Sequence, residues 1–324
     1  MTAPTAINET RRAKPITATW SLTKVRMLLA MRNRTFLFFS LMMPMLFLVG
    51  AVMFLGRRGG SIGSYVLGAL LAITVMGSFF GLSMQLVSFR EQGILRRFRL
   101  APVGPGPMLA SSILSNYAMA LPTLLIEILV CRWALGLRSW GNLWAIFLLI
   151  TFGSAAFSCF GLIIASVTNT TQETQIINQL IWMVFLFLSG ATVPLTILPM
   201  WIRRAALFIP ATYLATGLQT SAMGTIVWRD LLTDVVSLGL SLWVAFEISR
   251  RLFRWEPEAK VTGRAKLWVL AALIPFFIFG VYENFYGDLL NRVDTDLHTL
   301  EASQPPRHAP TAQLEIPPQL SVRR

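Results

Sequence analysis

Residues 90–102 read Arg90-Glu91-Gln92-Gly93-Ile94-Leu95-Arg96-Arg97-Phe98-Arg99-Leu100-Ala101-Pro102. Ile94, Leu95, Phe98 and Leu100 supply an apolar side, while Glu91, Arg96, Arg97 and Arg99 can reach a partner. That period suits a short helix lying across a membrane surface. Long apolar runs flank it, at about 65–88 before and about 110–131 after. A basic loop between two such runs is held on the Lys/Arg-rich side of a membrane. Arginines alone would achieve that. They leave unexplained the acid and glycine ahead of them and the Pro/Gly-rich exit at 102–107.

Outward from this loop the chain keeps the same pattern. Of its 324 residues, 55% are hydrophobic and 13% charged, with a mean hydropathy of +0.61. A soluble domain carries about 25% charge, so these values argue against a soluble protein and against disorder through most of the chain. Further apolar runs fall at 36–55, about 143–167, about 176–194 and about 231–249, with a shorter one at 267–282. A crossing helix needs ~20 apolar residues. The expected fold class is therefore all-α, a polytopic integral membrane protein with six spans and a short seventh. Residues 1–35 form a basic N-terminal segment with an amphipathic interfacial helix at about 18–34. The six spans occupy 36–254, a linker and the seventh span 255–287, and a polar, disordered tail 288–324. The segment 195–230 carries Pro199, Pro210, Arg203 and Arg204, and its apolar pieces are too short to cross.

The net charge is +13. Lys and Arg avoid the apolar runs and crowd at 11–34, 90–99 and 250–266. That distribution is how membrane proteins set orientation, so nucleic acid is not an expected partner; the N-terminus is placed in the cytoplasm. The tail then lies outside if the seventh run crosses. Cys131 and Cys159 both sit in apolar runs, and His298 and His308 sit in the tail, which leaves no metal cluster or disulfide framework.

The sequence lacks GxxxxGK[ST], HExxH and GxGxxG, so it offers no phosphate loop or zinc helix of its own. Glu127, Asp230, Asp234 and Glu247 are dispersed acids with no paired arrangement for acid–base work. Glu127, near Arg132, and Glu247, near Arg250 and Arg251, read as side chains snorkelling to an interface.

Here the chain resembles the membrane subunits of type-2 ABC exporters, permeases whose signature after the second span runs R/K-E-x-G-T-L-x-R-L-x-x-x-P. Arg90, Glu91, Gly93, Leu95, Arg97 and Pro102 match it, with Ile94 replacing Thr and Phe98 replacing Leu. A second match is L-S-G-x-x-x-P…L-P-x-W, carried by Leu188, Ser189, Gly190, Pro194, Leu198, Pro199 and Trp201. Pro210-Ala211-Thr212-Tyr213 resembles the family's N-P-x-T-Y, with Ile209 in place of Asn. The resemblance covers about 20–254.

It implies an export permease in the plasma membrane of a bacterium, moving a drug, lipid or glycan-type cargo. The chain binds no cofactor itself; ATP sits on a separate partner subunit, an ATPase with a P-loop. The further partners are a second permease copy and membrane lipids. The loop 90–102 would be the coupling helix, with Glu91, Gly93, Leu95, Arg96, Arg97 and Pro102 as its working residues. Glu91 would anchor to a basic group on the ATPase or cap the helix N-terminus. The segment 195–225 would form a re-entrant pair of short helices on the outer face, shaped by Gly190, Pro194, Pro199, Pro210 and Tyr213. Spans 2 and 5 would line the path, with Phe79, Ser83, Gln85, Asn178, Trp182 and Phe185 as candidates; span–span packing is the competing role for each. An ion-driven secondary transporter would need buried mid-span charges, which are few here. A lipid-modifying enzyme would need converging His or carboxylate groups. A non-transporting scaffold would tolerate alteration of 90–102.

Overall fold

The computed structural model describes residues 15–32, 61–95, 104–137, 139–253, 274–287 and 289–302, with helical positions at 38, 42, 45–50 and 53. Among the described residues every regular element is helical. Helix α1 covers Pro15–Arg32, α2 Ser61–Met76, α3 Ser78–Glu91, α4 Pro105–Leu135, α5 Leu143–Val167 and α6 Thr171–Leu188. A 3-10 turn, Leu195–Ile197, leads to α7 (Met200–Ala206) and α8 (Pro210–Met223). Helices α9 (Trp228–Leu252), α10 (Ile274–Phe285) and α11 (Leu289–Ala302) complete the chain.

Among the described residues, four stretches are long and apolar enough to cross a membrane: Ile62–Glu91, Pro105–Leu135, Leu143–Val167 and Trp228–Leu252. The first combines α2 and α3, which meet at Gly77. Helix α6, the expected fifth span, falls short because Gln172, Glu173, Gln175, Asn178 and Gln179 load its first half with polar groups. Span 1 lies largely outside the described residues, as does the first part of the seventh run, of which α10 is the described part. Helix α4 runs through Pro122 without a break.

Helix α5 is the centre of the molecule. Asn142 caps its start by accepting a bond from the Ala145 amide. Its near-continuous apolar sequence is buried on most sides, as expected for a helix surrounded by others. It packs against α2, α3, α4, α8 and α9. The largest core cluster joins Leu71, Val75 and Phe79 to Leu149, Phe157 and Leu214. Two glycines set the closest approaches. A Cβ at Gly68 would run into the Gln219 backbone, and one at Gly161 would run into the Phe79 carbonyl. Small residues at such crossings let membrane helices pack backbone to backbone.

Two sequence expectations change. Glu127 does not snorkel: it is fully buried and accepts a 3.0 Å bond from the Thr74 hydroxyl of α2. Thr123, Leu124, Glu127 and Cys131 lie on the buried face of α4, so helical geometry carries the acid inward. The polar tail also gives way, over Leu289–Ala302, to a packed helix. Leu289 joins Leu207 and Tyr213 in a small core, and Arg292 reaches Asp234 at 3.2 Å. The rest of the tail lies outside the described residues. Glu247 pairs with Arg250 at 2.9 Å and Arg251 at 2.8 Å, the half-exposed arrangement expected at a helix end.

Candidate functional site

The 90–102 segment is not one helix. Arg90 and Glu91 are the last turn of α3, and Gly93, with φ of +68°, turns the chain before Ile94 and Leu95 resume helical form. The Gly93 amide donates to the Arg90 carbonyl at 3.0 Å, a left-handed glycine ending a helix. Leu95 is fully buried among Leu82, Leu86, Met108, Leu109 and Leu162. It fastens the start of the loop to α3, α4 and α5. Arg96, Arg97 and Pro102 lie outside the described residues.

Arg90 is 1% exposed. Its guanidinium donates to the Thr168 carbonyl at 3.0 Å and the Ala165 carbonyl at 2.8 Å, at the end of α5. Glu91 is exposed, and its carboxylate accepts a 2.8 Å bond from the Thr171 amide at the start of α6. A cation thus meets the negative end of one helix and an anion the positive end of the next. Glu91 thus caps the start of the neighbouring helix α6.

The six path candidates separate into two groups. Phe79, Ser83, Asn178 and Phe185 are buried between α3, α5 and α6. Asn178 donates to the Ser83 hydroxyl at 2.7 Å, and Phe185 meets Phe79 and Phe157 edge-on, with ring centres 5.7 and 5.5 Å apart. In this conformation these four pack helices together. Trp182 is half-buried against Phe79, and Gln85 is exposed. The unpartnered face of α6 carries Gln172, Gln175 and Gln179 in its first half and Leu180, Met183 and Phe187 in its second.

The re-entrant motif residues build one corner. Gly190 has φ of +85°, and the space of its missing side chain is filled by Leu195. Its carbonyl accepts bonds from Gln219 at 2.9 Å and Tyr65 at 3.3 Å. Pro194 precedes the 3-10 turn, Pro199 stands at the start of α7, and Pro210 opens α8 at the position that needs no amide donor. Thr212 and Tyr213 donate to the Ala206 and Leu207 carbonyls at 2.7 and 2.8 Å, satisfying the end of α7. The Thr-Tyr pair is therefore a cap joining two short helices.

The profile of the family described as "ABC-2 type transporter" matches residues 17–223. The chain belongs to the ABC-2 type transporter family. It is 25% identical over 253 residues to "Probable doxorubicin resistance ABC transporter permease protein DrrC" of Mycobacterium tuberculosis, in strain CDC 1551 / Oshkosh and in strain ATCC 25618 / H37Rv. Each alignment covers 75% of this chain and 89% of the relative. As an ABC-2 permease the chain is the multi-pass membrane subunit of an exporter and not an enzyme; ATP hydrolysis belongs to a partner ATPase. The matched region ends at α8, so α9, α10 and α11 lie beyond it.

Three functional features escaped the sequence reading. Thr171 contributes a backbone amide, which no side-chain motif reveals. Gln219 lies in a segment whose inward face could not be fixed without the partner helix. Arg292 sits in a polar stretch whose only signal was a periodic apolar set at Leu289, Leu290 and Val293.

Proposed function

We propose that this permease is one half of a dimeric drug exporter whose two copies face each other across α3 and α6. The glutamine row of α6 carries the reading. Unpaired amides facing lipid would each cost several kcal/mol, so a span exposing Gln172, Gln175 and Gln179 needs water or protein on that side. Gln85 on α3 extends the same polar character, and Trp182 adds a half-buried ring. Amides beside Met183, Val184 and Phe187 suit an amphipathic organic cargo better than an ion. The relatives' printed link to doxorubicin resistance supports the same class. The 90–102 loop and α1 then face the cytoplasm and the P-loop ATPase, in keeping with the basic residues gathered there.

The test is reconstitution of the tagged chain with the ATPase that co-purifies with it, using doxorubicin as the probe. ATP-dependent movement of doxorubicin, abolished when the ATPase P-loop lysine is replaced, is the expected result. Absence of any co-purifying ATPase, or movement driven by an ion gradient alone, would overturn the reading.

A further inference from the structure

We propose that Arg90 and Glu91 form the joint through which displacement of the 90–102 loop is passed to α5 and α6. This rests on the exporter reading above and assigns two positioning residues within it. The geometry joins three elements at one helical turn. Arg90 holds the last carbonyls of α5 at 3.0 and 2.8 Å, and Glu91 holds the first amide of α6 at 2.8 Å. Both side chains leave α3 immediately before Gly93, whose left-handed backbone sets the direction of the loop.

The start of α6 also carries capping bonds of its own. Thr170 accepts from the Glu173 amide at 3.1 Å, and Glu173 accepts from the Asn169 amide at 2.8 Å. The Thr174 hydroxyl donates to the Thr168 hydroxyl at 2.8 Å, closing the turn internally. These bonds cap the start of α6 from within the turn. The bonds from Arg90 and Glu91 attach this turn to α3. Two turns further along, Asn178 donates to Ser83 and fixes α6 to α3 again. The first half of α6, which bears the exposed glutamines, rides on α3 through two polar links. A shift of the loop pulls on the oppositely charged side chains and reorients that half.

Thr171 allows a test that leaves Glu91 intact. It is the first residue of α6, where proline is well accommodated, and Thr170 before it is extended, with φ of −121° and ψ of 155°. Thr171→Pro removes the amide that Glu91 accepts. The reconstituted permease–ATPase complex is assayed for doxorubicin moved per ATP hydrolysed, with Glu91→Ala, Thr171→Pro and the double variant side by side. Each single change is expected to lower that ratio at least five-fold while the ATPase still co-purifies, and the double change to lower it no further. Glu91→Gln, whose amide oxygen still accepts a bond, is expected to recover most of the ratio. A normal ratio in Thr171→Pro, with Glu91→Ala losing both transport and the bound ATPase, would place Glu91 on the ATPase and overturn the joint. So would lower folded yield at an unchanged ratio, which is a purely structural effect.

Amide hydrogen exchange separates this from failure of the exporter reading. Peptides covering 170–174 in the purified complex are expected to exchange faster in Glu91→Ala. Unchanged exchange there overturns the joint whether or not doxorubicin moves. Absence of ATP-dependent movement in the unsubstituted protein counts against the exporter reading alone.

Discussion

Asp234 is 1% exposed and its closest cationic partner is Arg292, at 3.2 Å. Arg292 also approaches Asp230 at 3.6 Å and the Thr216 hydroxyl at 3.4 Å. Removing one member of a buried pair leaves a desolvated charge, at a cost of about 3–5 kcal/mol. Arg292→Ala is therefore expected to lower the thermal unfolding midpoint in detergent markedly. The double change Arg292→Met with Asp234→Asn should recover much of that loss. Gly190 offers a second residue-level prediction. Its φ of +85° and the Leu195 side chain against it both oppose any larger residue. Gly190→Val should cost on the order of 2 kcal/mol or more through backbone strain and overpacking, read as reduced folded yield on fluorescence-detected size exclusion. Arg292 was illegible in advance because a polar tail gives no sign of what it packs against. Gly190 was legible because a motif pointed to it, although the reason, a left-handed turn closed by Leu195, was not.

At the scale of elements, the sequence located helices well where apolar runs were long. The stretch 143–167 was expected as a span and Leu143–Val167 is a helix. It failed where one helix borrowed its stability from another. The 90–102 loop has the period of a surface helix, yet its first two residues continue α3, and among its described residues the chain turns at Gly93. The short helices α7 and α8 depend on each other in the same way. Tyr213 is fully buried, and its hydroxyl donates to the Leu207 carbonyl at 2.8 Å. Tyr213→Phe keeps the ring packing and strands that carbonyl, at a cost of about 1–2 kcal/mol. Hydrogen exchange in α7 and the start of α8 should rise, with α5 unaffected. For α6, Gln179→Leu replaces an exposed amide with an apolar group of similar size. The expected outcome is a changed ratio of doxorubicin efflux to efflux of a more apolar dye, at unchanged folded yield. Identical efflux ratios would remove Gln179 from the path.

For the whole molecule, helix α9 measures about 37 Å at 1.5 Å per residue, enough to cross the ~30 Å hydrocarbon layer. The side chain of Arg250, near its last turn, lies by Gly106 at the start of α4, and α1 packs on that same helix through Thr19 and the Pro107 carbonyl. Asp230 and Asp234, in its first two turns, hold Arg292 of α11. The N-terminal and C-terminal helices thus sit at opposite ends of one crossing element. With the orientation proposed above, the molecule has, for a living cell, a private end and a public one. On that orientation a fluorescent protein fused before α1 should mature. Alkaline phosphatase fused after residue 302 should be active, because its disulfides form only beyond the membrane. An impermeant label on a cysteine placed past α11 would then mark intact cells, making the surface population of this permease countable without breaking them.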